Sequence, residues 1–406
     1  MFGTLIVLFF INQSAFAQQA TQSLLLGRGV NIELWRSSDK VGTSDERIDR
    51  AKAAGFTFVR IGISVTPWLQ NEIVKLGYPV PGYMQGNDAL KTKTLSDLSE
   101  AIVRARTDGL KSLVALFITG TPAGLTGGRM LCDIPDGQQS YQKIFNEVLS
   151  HIPDTPGIAI EPFNEPPGGC TPTHYATATG GMWPQLQLKL YQTVRKEKPH
   201  LTFIVTAGSY EQLDGLLAFD PTPYLADKNT IMAIHYYEPL IFTSQYQTSL
   251  HKAEGFTRHI PWPNEGASLA EGRKETFAAL KQVQSGKELI ESEESLNADF
   301  ERYPETGTKA YLINRFQKLA DWASHYRLSP ERIVIGEFGV HRPTDGTSGE
   351  PLDGAGRYLT AVKTAIETHR FSWAIWDLDG GMAFLCGTPP HEEVCPAYRS
   401  VMMTPP

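Results

Sequence analysis

The stretch FTFVRIGI, residues 56–63, is an apolar run with one arginine, Arg60, near its centre. Its length and its Val, Ile and Phe content are typical of a strand that is buried on both faces. A buried arginine needs a carboxylate partner, because an unpaired charge is costly to bury. The run therefore predicts a core strand whose arginine pairs with an acidic residue elsewhere in the chain.

Seven similar runs occur along the chain, and amphipathic helical patterns lie between most of them. With 56–63, the runs are 24–33, 111–118, 157–164, 201–207, 230–236, 332–338 and 371–378. The helical patterns are 44–55, 94–109, 183–198, 309–326 and 354–369. Eightfold strand–helix alternation predicts an α/β fold, a single (β/α)8 TIM barrel with extended loops at the C-terminal face of the strands. A doubly wound sheet is the alternative, and the lack of a GxGxxG or Walker-type loop after the first strand disfavours it.

Two local predictions concern helix ends and insertions. Ser44 is expected to be the N-cap of the first helix, with Glu46 in its first turn and Gly55 at its end. The longest insertion lies between Pro239 and Lys309, and its acidic tract 288–294 predicts a solvated helix face or loop. No linker or composition shift divides the chain, so we expect residues 18–406 to form one domain.

Residues 1–17, MFGTLIVLFFINQSAFA, are typical of a secretory signal peptide. An apolar run leads to the small-x-small site Ala15-Phe16-Ala17, and it is far shorter than the ~20 residues that an anchor needs to span a bilayer. Because no basic residue precedes Arg28, a buried N-terminal strand is the alternative. The mature protein is expected to begin near Gln18, in a secreted or periplasmic and oxidising location, with no membrane association after cleavage.

The four cysteines are Cys132, Cys170, Cys386 and Cys395, and three pairings are possible. Cys386 and Cys395 bracket a short Pro-rich loop, which favours a disulfide between them and leaves Cys132 with Cys170. Free thiols in one or both pairs are the alternative. The spacing is not CxxC and no histidine cluster accompanies it, which argues against zinc.

The composition excludes several classes of protein. The chain has 406 residues, 41% of them apolar and 20% charged, with 37 basic and 44 acidic side chains and a net charge of -7. These values are unlike those of a disordered chain or of a nucleic-acid-binding protein, which is usually basic. An acidic surface suits an uncharged polymer better than an anionic one as substrate. Nothing in the sequence demands an oligomer, so we expect a monomer.

Two of the predicted strands end in glutamates. Strand four continues as IEPFNEP, residues 160–166, and strand seven ends as IGEFG, residues 335–339. In a barrel, active sites lie at the C-terminal ends of the strands. Hydrolysis of a glycosidic bond needs two carboxyl groups on opposite sides of the anomeric carbon. Glu165 and Glu337 therefore predict a glycoside hydrolase site, although either glutamate alone is more typical of a surface or structural group.

These two motifs resemble the signatures of glycoside hydrolase family 5, the cellulase A family of clan A. The resemblance extends over most of the chain after residue 17. GVNI at 29–32, FVRI at 58–61, HYYEP at 235–239 and WAIWD at 373–377 resemble the family's first, second, sixth and eighth strands. The resemblance implies a glycoside hydrolase that retains the anomeric configuration. We expect no cofactor and no metal.

The resemblance implies that Glu165 is the acid/base and Glu337 the nucleophile. A nucleophilic carboxylate needs a low pKa and the acid a raised one. Retention predicts carboxyl groups about 5–5.5 Å apart rather than ~6.5–9.5 Å.

Five further residues receive roles from the resemblance. Arg60 and Tyr237 are expected to hold Glu337 and keep it ionised. Asn164 is expected to bond the sugar 2-hydroxyl, His235 to contact the sugar or the surroundings of Glu165, and Trp376 to form the platform under the sugar. The alternatives are an ordinary ion pair for Arg60, a turn cap for Asn164, and core packing for the other three residues.

The substrate is less well specified. Many family members carry a histidine at the end of the third strand, where this chain reads LFITG at 116–120, so one contact is missing or supplied from elsewhere. Aromatic residues after the strands are candidates for lining a sugar cleft: Trp35, Trp68, Trp183, Tyr210 and Trp262. We expect a β-1,4-glucan, with mannan, xyloglucan and β-1,3-glucan as alternatives.

Two other classes compete with this interpretation. One is a barrel that binds carbohydrate without cleaving it. The other is a metal-dependent barrel hydrolase, which the absence of an HxH or HExxH pattern disfavours.

Overall fold

A computed structural model describes residues 26–36, 43–69, 88–119, 131–132, 136–167, 182–248, 253–343, 351–387 and 391–403. Eight parallel strands form a closed barrel in chain order, and β1 pairs with both β2 and β8. The strands are β1 (Arg28–Glu33), β2 (Phe58–Ser64), β3 (Lys111–Phe117), β4 (Ile158–Glu161), β5 (Thr202–Thr206), β6 (Thr230–His235), β7 (Ile333–Glu337) and β8 (Ser372–Ile375). The predicted TIM barrel is confirmed, and the doubly wound alternative is wrong.

Every predicted run contains one strand, because each run is buried on both sides. In β2 all seven residues are buried. Val59 and Ile61 belong to the core between the barrel and the helices, whereas Phe58 belongs to the smaller cluster inside the barrel. Side chains of a strand alternate between its two faces. Arg60 therefore shares the interior face with Phe58, which places its charge within the barrel.

Helices cover the outside of the barrel. They are α1 (Ser44–Ala53), α2 (Asp88–Thr107), α3 (Gly137–Ser150), α4 (Met182–Glu197), α5 (Leu213–Leu217), α6 (Thr222–Leu225), α7 (Leu240–Thr243), α8 (Ala270–Val283), α9 (Gly286–Thr306), α10 (Lys309–His325), α11 (Ala355–Thr368) and α12 (Arg399–Met402). The expected cap of α1 is wrong by one residue. Thr43 is the N-cap, because its side chain accepts from the N–H of Glu46 while the Glu46 side chain accepts from the N–H of Thr43.

The insertion after β6 is largely helical. Residues 270–306 form α8 and α9, two helices that follow each other with a short connection. The acidic tract 288–294 lies in α9, where Glu288, Glu291 and Glu294 are exposed, so the prediction of a solvated helix face is confirmed. No helix among the described residues is both long and apolar enough to cross a membrane.

A two-stranded antiparallel ribbon follows the barrel, formed by β9 (Leu385–Cys386) and β10 (Glu393–Val394). The predicted disulfide between Cys386 and Cys395 closes it, with an S–S distance of 2.06 Å. Cys132 is also disulfide-bonded. Cys170, the predicted signal peptide at 1–17 and the start of the first predicted strand lie outside the described residues.

We expect the double variant Cys386→Ala/Cys395→Ala to be less stable than the wild type by about 2–3 kcal/mol, the loop entropy of a cross-link that closes some ten residues. Urea unfolding measures the difference in the free energy of unfolding. The variant should retain its activity at low temperature, because the ribbon contributes none of the clustered polar side chains described below. An unchanged unfolding midpoint and slope would contradict this prediction.

Candidate active site

Two glutamates and a histidine at strand ends lie together at one mouth of the barrel. Glu161 is the last residue of β4, His235 of β6 and Glu337 of β7. All three are buried. Because the C-terminal ends of parallel strands lie at one end of a barrel, residues far apart in sequence meet here.

The Arg60 guanidinium lies at the centre of this cluster and is fully buried. Its Nε and Nη2 donate to the two oxygens of Glu161, and Nη2 also donates to Asn164 Oδ1 at 2.7 Å. Its Nη1 donates to Asn31 Oδ1 at 2.8 Å and to Glu337 Oε1 at 2.7 Å. These bonds use all five N–H groups of a guanidinium. Burial lowers the pKa of Arg60, but the two carboxylates outweigh burial and the pKa is raised. The sequence predicted one carboxylate partner for Arg60, and the structure has two, Glu161 and Glu337.

Glu337 receives the two contacts expected of it. Arg60 bonds one oxygen, and the Tyr237 hydroxyl donates to the other, Oε2, at 2.8 Å. The expectation of a low pKa is wrong in direction, because burial raises the pKa of Glu337. Arg60 and the Tyr237 hydroxyl oppose this rise. The ionised form of Glu337 therefore depends on these two donors.

Glu165 differs from Glu337 in exposure. Its side chain is 37% exposed against 5% for Glu337, so it lies toward the opening of the barrel. One of its oxygens, Oε1, lies 3.0 Å from Nδ1 of His235. His235 was expected to contact the sugar or the surroundings of Glu165, and it lies beside Glu165. A carboxylate oxygen of Glu165 and one of Glu337 lie within 4.8 Å of each other.

His235 links several acidic groups. Its Nδ1 lies 3.0 Å from Glu165 and 3.5 Å from Glu337, and its Nε2 lies 3.2 Å from Glu211 Oε2. Burial lowers the pKa of His235 to about 4, so the imidazole is neutral at neutral pH. One of its nitrogens therefore carries a hydrogen and the other accepts one.

An aromatic wall borders the polar cluster. The Phe117 ring, at the end of β3, lies 5.0 Å from Trp35 and 5.8 Å from Trp376 between ring centroids. It also faces the Arg60 guanidinium at 5.2 Å. Trp35 and Trp376 are half-buried and pack against the interior cluster, so they remain partly accessible at the mouth.

Other predicted aromatic residues are not part of this wall. Trp183 and Trp262 are buried, so the prediction that they line a cleft is wrong. Trp183 donates instead to the Thr206 carbonyl inside the fold. Trp68 packs against the core outside the barrel, whereas Tyr210 is 39% exposed on the loop after β5.

The sequence interpretation missed four residues of the cluster: Asn31, Phe117, Glu161 and Glu211. Asn31 and Glu161 were recognisable in principle, because each is a polar residue in a buried apolar run and must find a partner there. Phe117 lies in the third strand, where only the absence of a histidine was noted. Glu211 follows β5 in a loop, and no sequence pattern marks it.

Two overlapping groups of described residues bring possible metal ligands within 4.8 Å of one another. They are Glu161, Glu211 and His235, and Glu165, His235 and Glu337. Arg60 already bonds a carboxylate of each group. Its charge compensates theirs, and we assign no metal here.

Comparison with known proteins places the chain in a family. The model of the family Cellulase (glycosyl hydrolase family 5) matches residues 18–381. Endoglucanase 3 of Fibrobacter succinogenes is 23% identical over 254 residues, which cover 62% of this chain. The chain spans 34% of the length of that relative.

Solved structures share the fold. Thermotoga maritima Cel5A in complex with mannotriose has a TM-score of 0.60 at 19% identity, covering 94% of this chain and 98% of that one. A family 5 xyloglucanase from Paenibacillus pabuli has a TM-score of 0.60 at 17% identity, covering 94% and 98%. The family match confirms the predicted enzyme class, a glycoside hydrolase, at the level of the family. The family model matches most of the chain, and the chain belongs to glycosyl hydrolase family 5.

Proposed function

We propose that the protein is a secreted, retaining glycoside hydrolase that cleaves a β-linked polysaccharide, with β-1,4-glucan as the first choice. Glu165 is the acid/base and Glu337 the nucleophile. The observation that carries this proposal is the pairing of two carboxyl groups in different environments. Glu337 is buried and held by Arg60 and Tyr237, whereas Glu165 lies toward the opening beside His235.

The reaction proceeds by double displacement. The Glu337 carboxylate attacks the anomeric carbon while Glu165 gives its proton to the departing oxygen, which leaves a glycosyl ester on Glu337. Glu165, now a carboxylate, takes a proton from water as the water oxygen attacks the same carbon and releases Glu337. An oxygen–oxygen gap within 4.8 Å supports retention, because an inverting enzyme needs ~6.5–9.5 Å to admit a water molecule between its carboxyl groups.

The surrounding contacts prepare both groups. Arg60 donates to one oxygen of Glu337 and Tyr237 donates to the other, and these two hydrogen bonds fix the plane of the nucleophilic carboxylate. Asn164 accepts from Arg60 through Oδ1, which leaves its Nδ2 group as the donor for a sugar hydroxyl. Trp376 and Trp35 offer ring faces on which pyranose C–H groups can pack.

The choice of substrate rests on charge and on relatives. A net charge of -7 favours an uncharged polymer over an anionic one. An endoglucanase is among the relatives, whereas the solved structures include a mannotriose complex and a xyloglucanase. β-1,4-Glucan is therefore the first choice, and mannan, xyloglucan and β-1,3-glucan are the alternatives.

Export and organisation complete the proposal. Removal of residues 1–17 would release residues 18–406 as one catalytic domain that acts as a monomer without a cofactor. A disulfide between Cys386 and Cys395 supports an oxidising location such as the periplasm or the extracellular space.

Glu337→Gln should lower kcat on a soluble β-glucan by roughly 10³-fold or more, since the amide cannot form the glycosyl ester. Binding of an oligosaccharide, measured by calorimetry, should persist. Glu238→Gln is the matched control, because that carboxylate bonds Arg315 instead of the cluster. Undiminished turnover by Glu337→Gln would refute the mechanism, and sugar binding without turnover in the wild type would favour the non-catalytic barrel.

Tyr237→Phe should move the acidic limb of the pH profile of kcat/KM upward by about one pH unit. Glu337 must be ionised to attack, so activity is lost as the pH falls through its pKa. Loss of the hydroxyl donor raises that pKa, and the loss of activity then begins at a higher pH. Tyr236→Phe is the control, because its buried ring packs on Phe316 at 4.8 Å and not on Glu337. An unmoved limb in Tyr237→Phe would contradict the prediction.

A panel of β-1,4-glucan, β-1,3-glucan, mannan and xyloglucan should give the highest kcat/KM on the β-1,4-glucan. A carboxymethylated glucan should be a poorer substrate than the neutral polymer at low ionic strength, because the protein is acidic. Chromatography of products over time separates endo from exo action, and a mixture of chain lengths is expected. Faster cleavage of another glycan would reassign the substrate and leave the mechanism intact.

A further inference from the structure

A third carboxylate, Glu211, lies against the acid/base and takes no part in the mechanism above. Its side chain is fully buried. Its Oε1 accepts the backbone N–H of Glu165 at 2.9 Å, and its Oε2 lies 3.2 Å from Nε2 of His235. Glu211 thus contacts both the acid/base residue and the histidine that bonds its carboxyl group.

An unusual backbone aims Glu211 into the site. Ser209, Tyr210 and Glu211 have φ values of 65°, 57° and 58°, and Glu165 has a φ of 51°. Each non-glycine residue in this left-handed region costs on the order of 1 kcal/mol, and such strain persists where surrounding contacts impose it. Those contacts are present, since Tyr210 donates to the Pro166 carbonyl at 3.1 Å and the His235 N–H donates to the Glu211 carbonyl at 2.8 Å.

The other charged groups near Nε2 of His235 are already hydrogen-bonded elsewhere, so Glu211 is the group available to it. Arg60 lies 3.5 Å from Nε2, but both hydrogens of that guanidinium nitrogen are already donated to Glu161 and Asn164. Both oxygens of Glu161 are bonded by Arg60. Oε2 of Glu211 lies 3.2 Å from Nε2 and accepts no hydrogen bond from any described residue, so it is the acceptor available to an Nε2–H.

The opposite ring nitrogen, Nδ1, faces Glu165 at 3.0 Å and Glu337 Oε2 at 3.5 Å. The Tyr237 hydroxyl already donates to that Glu337 oxygen. Glu165 is thus the nearer partner of Nδ1, and the imidazole bridges Glu211 and Glu165.

We propose that Glu211 and Glu165 share one proton through the imidazole of His235. In one arrangement the Glu165 O–H donates to Nδ1, and Nε2–H donates to the Glu211 carboxylate. In the other, the Glu165 proton has moved to Nδ1 while the Nε2 proton has moved to Glu211 Oε2. The imidazole is neutral in both arrangements, and no proton enters or leaves the chain of groups.

The two arrangements match the two states that double displacement requires of Glu165, protonated as acid and ionised as base. This inference rests on the proposed function, and Glu211 acts in it as a positioning residue through His235. Burial of Glu211 supports this proton sharing. It raises the pKa of Glu211, so that this carboxyl competes with Glu165 for the proton. Burial also keeps His235 neutral, so the ring changes tautomer rather than charge.

The decisive variant is Glu211→Gln. Because Oε1 accepts the Glu165 N–H, the amide oxygen takes that place and the NH2 group faces Nε2 as a donor. The hydrogen of His235 is then fixed on Nδ1, where it stabilises ionised Glu165. We expect the alkaline limb of kcat/KM to move to lower pH by about one unit, with KM nearly unchanged.

Leaving-group dependence separates this role from a structural one. Above the shifted limb, kcat/KM of Glu211→Gln should fall about tenfold for glycosides with poor leaving groups, which need a proton. Aryl glycosides with acidic phenols should change less than about twofold, because their departure needs little acid assistance. Glu238→Gln is the control for a Glu→Gln change outside the cluster, at a half-buried carboxylate that bonds Arg315, and should retain the wild-type profile. An unmoved limb, or equal loss for both kinds of glycoside, would overturn the proposal.

A measurement on the wild type covers the case in which the variant does not fold. Nitrogen-15 NMR of the histidine rings reports which nitrogen of His235 carries hydrogen as pH changes. Below the alkaline limb, where the shared proton is present, we expect both tautomers, so that each ring nitrogen has a shift between its protonated and unprotonated values. A single tautomer in that pH range would overturn the proposal. This readout needs no turnover, so it remains decisive even if the wild type hydrolyses no glycoside, a result that would refute the proposed function alone.

Discussion

The buried guanidinium of Arg60 is the interaction on which the candidate site depends. From β2 it bonds Asn31 of β1 and Glu337 at the end of β7. It also bonds Glu161 at the end of β4 and Asn164 in the loop that follows. Two carboxylates without a cation could not remain ionised in the interior of a barrel, and one guanidinium without carboxylates would be equally costly to bury. Each charge is stable there only because the others are present, so the strand ends are held in one arrangement.

Because all five N–H groups of Arg60 are donated to other residues, the groups next to it must find other partners. A guanidinium with all five N–H groups engaged has no hydrogen left for His235, even at 3.5 Å. In the proposed proton sharing, His235 donates to one of Glu165 and Glu211 and accepts from the other, as a neutral imidazole can. The site thus divides into a fixed ion cluster around Glu337 and a chain of groups around Glu165 in which a proton can move. This division suits the proposed roles, since the nucleophile must be ionised before it attacks and the acid/base must gain and lose a proton in each cycle.

Much of the fold could be predicted because its signals are local. Eight apolar runs identified eight strands, and the motifs at 160–166 and 335–339 identified the strand ends that carry Glu165 and Glu337. The errors arose where the outcome depends on contacts between distant segments. Trp183 and Trp262 look like cleft residues by position in the chain, but packing against other elements buries them. Glu211 lies after β5 in a turn whose left-handed backbone is imposed by Pro166 and His235, and no residue pattern records such a constraint.

The end of β3 departs from the family pattern and makes one side of the site apolar. Many family members carry a histidine at the end of the third strand, whereas in this chain β3 ends at Phe117, whose ring packs between Trp35 and Trp376 and faces Arg60. A phenyl ring offers no hydrogen bond to a sugar or to an acid/base, and it makes that side of the site less polar. Charges bordering an apolar wall interact more strongly than charges in water. Glu211 contacts Glu165 from the β5 side, where its Oε1 accepts the Glu165 N–H at 2.9 Å, so the polar contacts of the acid/base lie on the side of the site away from this apolar wall.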